Sequence, residues 1–408
     1  MKTLLWPLGL AALLSSPFVA TAQPSATEQP LFTLEAAQDL AASRSPTIAA
    51  AKHEVDATLG GIQQAGAWRN PELGATVEDT RSATRTTTAT IGFPLELGGK
   101  RPARISAAER AHDVASAQLA EVRAKVRAQV VLSYFAVVIA QERLKLASDS
   151  ERLSARVAKV VGKRVEAGKV SPVDATRAKV DVANAKLEFQ DAQGELQSTR
   201  QALGALWGDP SPRFGDVEEN LAEAPVRPSA DELMRQVDAS PALEVSRLMV
   251  DSRQALIAVE RSKAAPDVVV TVGAKRDNTL GLTQAVVGVS IPLPLFDRNQ
   301  GAVREAAKRA DKAQDEYDAN RVQLVADLSQ ASTRLATTRA SIAVLRETVL
   351  PAAQQAYDAS TTGFEAGKFG FLDVIDTQRS LLQARARYLN TLATAYQAAT
   401  TIDRLLGR

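Results

Sequence analysis

Few residues of this chain could perform covalent or metal chemistry. Its 408 residues include two histidines, His53 and His112, and no cysteine. Nucleophilic catalysis needs a hydroxyl or thiol beside a base, and a zinc site needs three or four donors at fixed geometry. Two isolated imidazoles supply neither, so the sequence predicts no enzyme activity, no cofactor and no resident metal. Each histidine reads as a helix-surface residue.

The polar residues that recur do so in a repeated turn. Val165-Glu166-Ala167-Gly168-Lys169, followed by Ser171 and Asp174, returns as Phe364-Glu365-Ala366-Gly367-Lys368, followed by Gly370 and Asp373. Gly168 and Gly367 suit a left-handed helix C-cap. Ser171-Pro172-Val173-Asp174 then reads as an N-cap, a proline at the first helical position and an acidic third position; Gly370 and Asp373 take the matching places. Asp174 and Asp373 have two readings. Capping is worth ~0.3–1 kcal/mol each; alternatively, three chains together would present six carboxylates near the aperture of a tube. Gly168, Lys169, Ser171, Gly367, Lys368 and Gly370 stand where helices reverse, and they are the candidate docking surface for a partner protein.

These turns belong to a larger duplication, offset by about 195 to 199 residues. Ser45-Pro46 matches Ser240-Pro241, Asn70-Pro71 matches Ala265-Pro266, and Phe93-Pro94-Leu95-Glu96-Leu97 is matched to Ile291-Pro292-Leu293-Pro294-Leu295. The expected organisation is a signal peptide at 1–22, a first repeat at 23–208, a linker at 209–228 and a second repeat at 229–408. Lys2, the apolar stretch from Leu4 to Ala20 and the small residues Ala20-Thr21-Ala22 predict cleavage between Ala22 and Gln23. No later apolar run is long enough for a transmembrane helix. The formal net charge of +2, without a basic block interleaved with aromatics, argues against nucleic acid.

Within each repeat a helical stretch leads to two alternating segments of roughly 9–11 residues, the length of a membrane-crossing β-strand. Leu73, Ala75 and Val77 alternate with Glu72, Thr76 and Glu78, and Val268, Val270 and Val272 with Val269, Thr271 and Gly273. A long helix follows. Leu132, Ile139, Leu146, Leu153 and Val160 recur every seven residues, as do Leu328, Leu335, Ile342 and Val349, with Val325 and Leu345 between. Such heptads predict coiled-coil packing over ~90 to 100 Å. Lys100, Arg101 and Arg298 follow the inward-running strands, either at a membrane rim or simply solvated. Four strands cannot close a barrel, and open edges in lipid cost several kcal/mol per unpaired group. Three copies would make a barrel of twelve strands with a helical tube attached.

In the duplicated Glu-Ala-Gly-Lys turn, its following aspartate and this layout, the chain resembles the TolC-like outer-membrane factors over nearly its whole mature length. The segments Pro94 to Arg101 and Pro292 to Gly301 are similar to the heavy-metal (CzcC-type) branch. The resemblance implies a mixed α and β fold: a trimeric twelve-stranded outer-membrane barrel, four strands per chain, continuous with a long periplasmic α-helical barrel. It further implies an exit duct for divalent heavy-metal cations, embedded in outer-membrane lipid. A periplasmic adaptor and a proton-driven inner-membrane pump of the resistance-nodulation-division type are the implied partners. Many relatives carry a lipid-modified N-terminal cysteine, which this chain lacks. Drug efflux and protein secretion are alternative uses of such a duct. A periplasmic adaptor or coiled-coil scaffold is the competing class, but adaptors usually carry one helical hairpin per chain.

Overall fold

The computed structural model describes residues 31–218 and 224–408. The predicted signal peptide with Ala22 and Gln23, and the middle of the linker, lie outside the described residues.

Each repeat contributes two or three shorter helices or helical turns, a β-hairpin and a long helical hairpin. The first comprises α1 (Leu34–Arg44), α2 (Pro46–Gly66), β1 (Glu72–Glu78), β2 (Thr86–Leu95), α3 (Lys100–Glu166) and α4 (Pro172–Ala205). In the second come α5 (Ala230–Met234), a 3₁₀ turn (Val237–Ala239), α6 (Pro241–Ser262), β3 (Val268–Asp277), β4 (Leu282–Ser290), α7 (Gln300–Val344), α8 (Leu350–Glu365) and α9 (Phe371–Leu406). Ser45 and Ser240, both extended, break the chain ahead of Pro46 and Pro241, which open α2 and α6. The 67 residues of α3 give a rod of about 100 Å. A proline inside a helix clashes with the preceding turn. At Pro351 the second long helix meets this with a π-helical turn, Leu345–Val349, between α7 and α8.

The four strands form one antiparallel sheet in the order β1-β2-β3-β4, so both hairpins are present and the repeats join along β2 and β3. β1 has seven residues, fewer than expected, because Asp79 adopts a left-handed conformation (φ 62°) and ends it. The register also corrects the alignment of the repeats. Ala75 opposes Ala89, and its counterpart Val270 opposes Val289. The left-handed caps Gly99 and Asn299 stand 200 positions apart as well. Pro94 therefore matches Pro294, two residues beyond the pairing suggested by the Phe93–Leu97 motif, because the strands of the second hairpin run further past the matched pair before they turn.

The core is distributed along the helices and is itself duplicated. Ala37, Ala41, Val130, Val137, Leu203 and Trp207 cluster in the first repeat; Leu233, Val237, Leu328, Leu335, Ile402 and Leu406 cluster in the second. Stacking of Phe135 on Tyr396, with centroids 3.7 Å apart, joins them. In α7 the predicted heptad residues Leu328, Leu335 and Ile342 are buried and Leu345 extends them, whereas Val325 and Val349 are exposed. In α3 the buried seam runs one residue on from the predicted leucines, through Ser133, Ala140, Ala147, Ser154 and Val161; of the predicted set only Ile139 is buried. α3 packs against α2, α4, α6 and α9. Small residues let three helices approach closely, and the leucines flank the contact.

One glycine is required by the sheet. A Cβ on Gly273 would stand 2.2 Å from the Ala89 carbonyl oxygen and 2.7 Å from Thr90. Gly273→Val should cost about 1–3 kcal/mol through overpacking. The yield of folded protein in outer-membrane fractions should fall several-fold, while Val286→Thr on the partner strand leaves it near normal.

Candidate functional site: sheet face, rim and helical tips

The two faces of the sheet differ in chemistry, and the apolar one is exposed. Leu73, Ile91, Val272 and Val287 lie abreast across the four strands, as do Phe93, Val270 and Val289. Leu73 is 82% exposed, Val287 75% and Val289 65%. The opposite face carries Thr76, Thr88, Lys275 and Gln284, and next to them Gly74, Thr90 and Gly273. A sheet in water buries its apolar face; here it is free, as lipid contact requires. No described helix is long and apolar enough to cross a membrane.

Where strand passes to helix, charged groups fasten the sheet to the helices. The Glu96 side chain is 3% exposed and accepts from Arg104 at 2.5 and 2.9 Å and from Arg69 at 3.1 Å. The Arg104 hydrogen bonds hold its carboxyl down at about 2, against burial, with Arg69 contributing. Lys100 and Asp267, 2.5 Å apart, tie one repeat to the other. Arg101 donates to the Gly66 carbonyl at 2.7 Å and covers the Trp68 ring at 4.8 Å. Arg298 is exposed and donates to the Pro294 carbonyl. Lys100 and Arg101 are thus structural ties rather than simply solvated charges.

At the far end, both predicted caps form. Gly168 and Gly367 have φ of 67° and 75°. Gly168 N–H donates to Val165 and Lys169 N–H to Arg164; Gly367 N–H donates to Phe364 and Lys368 N–H to Gly363. These are paired Schellman bonds. The Ser171 hydroxyl accepts from Val173 N–H at 3.2 Å, and the Asp373 carboxylate accepts from Gly370 N–H at 2.8 Å. Asp174 lies in the first turn of α4, 3.8 Å from Arg177. Each aspartate thus sits at a helix N-terminus. Lys169, Lys368, Gly168, Gly367, Ser171 and Gly370 are all exposed.

Sequence reasoning missed the contacts that hold the two tips together. Arg164 donates to the Phe364 carbonyl at 2.7 Å and lies 4.0 Å above the Phe364 ring, a cation at the C-terminus of α8. Higher up, Arg379 binds Asp181 at 2.8 Å, and Gln378 donates to Ser154 at 3.2 Å inside the bundle. These partners are about 200 residues apart in sequence; only a polar Gln378 in an apolar heptad position signalled them. His112 and His53 share no site. Thr58 Oγ1 and His112 Nδ1 are hydrogen-bonded at 2.8 Å, a tie between α2 and α3. Among the described residues no cluster of three metal-ligating side chains exists.

An exposed apolar sheet on a helical rod of this length is the build of an outer-membrane efflux protein. The chain belongs to the outer membrane efflux protein family, which matches residues 37–209 and 236–408, one match on each repeat. It is an efflux protein of the outer membrane, extending into the periplasm, and not an enzyme. Along its full length it is 53% identical to the cobalt-zinc-cadmium resistance protein CzcC of Cupriavidus metallidurans, with 100% of each chain covered. The nickel-cobalt-cadmium resistance protein NccC of Alcaligenes xylosoxydans xylosoxydans is 29% identical over 81% of this chain and 75% of its own. The outer membrane protein VceC of Vibrio cholerae shares the fold, with a TM-score of 0.78 at 20% identity over 92% of this chain and 96% of that one. CusC does so with a TM-score of 0.74 at 17% identity, over 95% and 94%.

Replacing Glu96 by Gln removes a charged acceptor from two arginines and should cost about 1–3 kcal/mol at neutral pH. A depressed carboxyl stabilises the fold above its unfolded pKa, and that contribution disappears as pH falls from about 4.5 towards 2. The gap in thermal midpoint between Glu96→Gln and the parent should therefore be full at pH 7 and closed near pH 2, in detergent-solubilised protein.

Proposed function

We propose that three copies of this chain close a twelve-stranded barrel continuous with a helical tube, and that this duct is the outer-membrane exit of a tripartite, proton-driven system exporting divalent heavy-metal cations. The observation that carries the reading is a lipid-facing sheet with both edges, β1 and β4, open. In hydrocarbon each unpaired backbone group costs several kcal/mol, so the sheet must be completed by other copies. Full-length likeness to a cobalt-zinc-cadmium resistance protein supports the cargo. A periplasmic adaptor meets the tube at the turns around Gly168 and Gly367, and an inner-membrane pump drives transport.

Selectivity lies upstream. Zinc, cobalt and cadmium are chosen by thiolate and imidazole ligands at fixed geometry, and a conduit releases its cargo better without strong binding. In a strain deleted for this gene, the intact chain should restore growth on zinc, cobalt or cadmium; restoration of drug resistance alone would overturn the cargo. Replacing both His53 and His112 with Gln should leave resistance within about two-fold of the parent. A selective loss for one cation at normal protein abundance would place a histidine site in the duct.

The tips are tested separately. A Cβ is disfavoured in the left-handed region, so Gly168→Val with Gly367→Val should distort both turns. Barrel insertion and trimer abundance should persist while adaptor crosslinking and cation resistance fall; unchanged resistance would remove these glycines from docking.

A further inference from the structure

The open edges carry a register, because the chain contains a worked example of the junction. Inside the chain the repeats meet where β2 joins β3, with Ile91 opposite Val272 and Phe93 opposite Val270. In a closed barrel β4, the counterpart of β2, meets β1 of the next copy, the counterpart of β3. We propose that neighbouring copies join in the same register as β2 and β3, so that Ile291 faces Val77 and Leu293 faces Ala75 of the next copy. This rests on the three-copy barrel proposed above and adds the residues of its seam.

Three observations support it. The seam keeps chemistry matched, since Val289, Ile291 and Leu293 on one edge and Leu73 and Val77 on the other are all exposed apolar residues. The residues after Ser290 have no ladder partner in the single chain, whereas their counterparts in β2 continue pairing with β3 as far as Leu95. Pro292 and Pro294 do not interrupt the new ladder. Ala89 turns its carbonyl towards β3, 2.2 Å from where a Gly273 Cβ would stand. Its counterpart Val289 therefore turns its backbone groups to the open edge, and Ile291 and Leu293 would do the same once the strand extends past Ser290 and the Leu293 carbonyl gives up its local bond from Leu295 N–H. The prolines alternate with them and lack donors only on the other side.

One geometric quantity identifies the rival register. From Glu72 across to Gly92 and on to Thr271, the counterpart of Thr76, the sheet climbs four residues over two strands. At ~3.3 Å per residue and ~4.8 Å between strands this is a tilt of roughly 54°, steeper than the ~35–45° common in outer-membrane barrels. A seam two residues shorter, with Val289 opposite Val77, would relax the mean tilt.

Because the chain has no cysteine, paired substitutions read the seam directly. Facing residues have Cβ atoms ~4.5–5.5 Å apart and diagonal neighbours ~7–8 Å. The purified full-length trimer is oxidised in detergent and resolved on non-reducing gels. Val77→Cys with Ile291→Cys should form interchain disulfides at least ten-fold faster than Val77→Cys with Val289→Cys. The reverse order overturns the proposed register and leaves the trimer standing. A trimer, by native mass spectrometry, that crosslinks through neither pair overturns it too. A monomeric parent protein removes the barrel reading itself and the seam with it.

Discussion

The backbone hydrogen bond in lipid is the constraint on which the rest of the structure depends. A strand edge in water finds solvent partners; in hydrocarbon it finds none, and each missing bond costs several kcal/mol. With the apolar face of this sheet turned outward and two edges left open, the chain is incomplete as a membrane object. The same demand accounts for the repeats adjoining along a strand pair, where β2 and β3 satisfy each other's backbone groups. In the three-copy barrel proposed above, channel geometry is then a consequence of satisfying backbone groups.

Duplication lets one solution be used repeatedly. Gly168 and Gly367 close the same turn, and matched residues fill the two helical cores. The exceptions show where the repeats have different neighbours. Pro351 interrupts the second long helix with a π turn while α3 runs unbroken. Lys100 is paired with Asp267 at the internal seam, whereas its counterpart Gln300 donates to the Phe296 carbonyl of its own turn beside the open one. Such differences are expected where one copy of a motif faces its own chain and the other faces a partner.

The helical tube is held by small residues and by sparse polar ties. Alanine and serine along the buried stripe of α3 permit close approach, and burial of little apolar area per helix is compensated by length. Polar links such as Gln378 with Ser154 and Arg379 with Asp181 fix which helices are neighbours near the tips.

The sequence alone determined the duplication, both hairpins, the length of the long helices and the capped turns at Gly168 and Gly367. Each of these is local: period two, period seven, and glycine or proline at positions with restricted backbone angles are written within a few residues. The family was legible for the same reason, since its motifs are turns and strand ends. What required the tertiary structure was everything set by residues far apart. The buried seam of α3 lies one position from its leucines, on the stretch where α4 and α9 pack against that helix. The strand ends match at Pro94 and Pro294, a shift visible only in the ladder register. Arg164 on Phe364, Glu96 between two arginines and Lys100 on Asp267 were likewise unreadable, because charge and aromatic pairs form wherever the fold brings chains together, and no spacing in the sequence encodes that meeting.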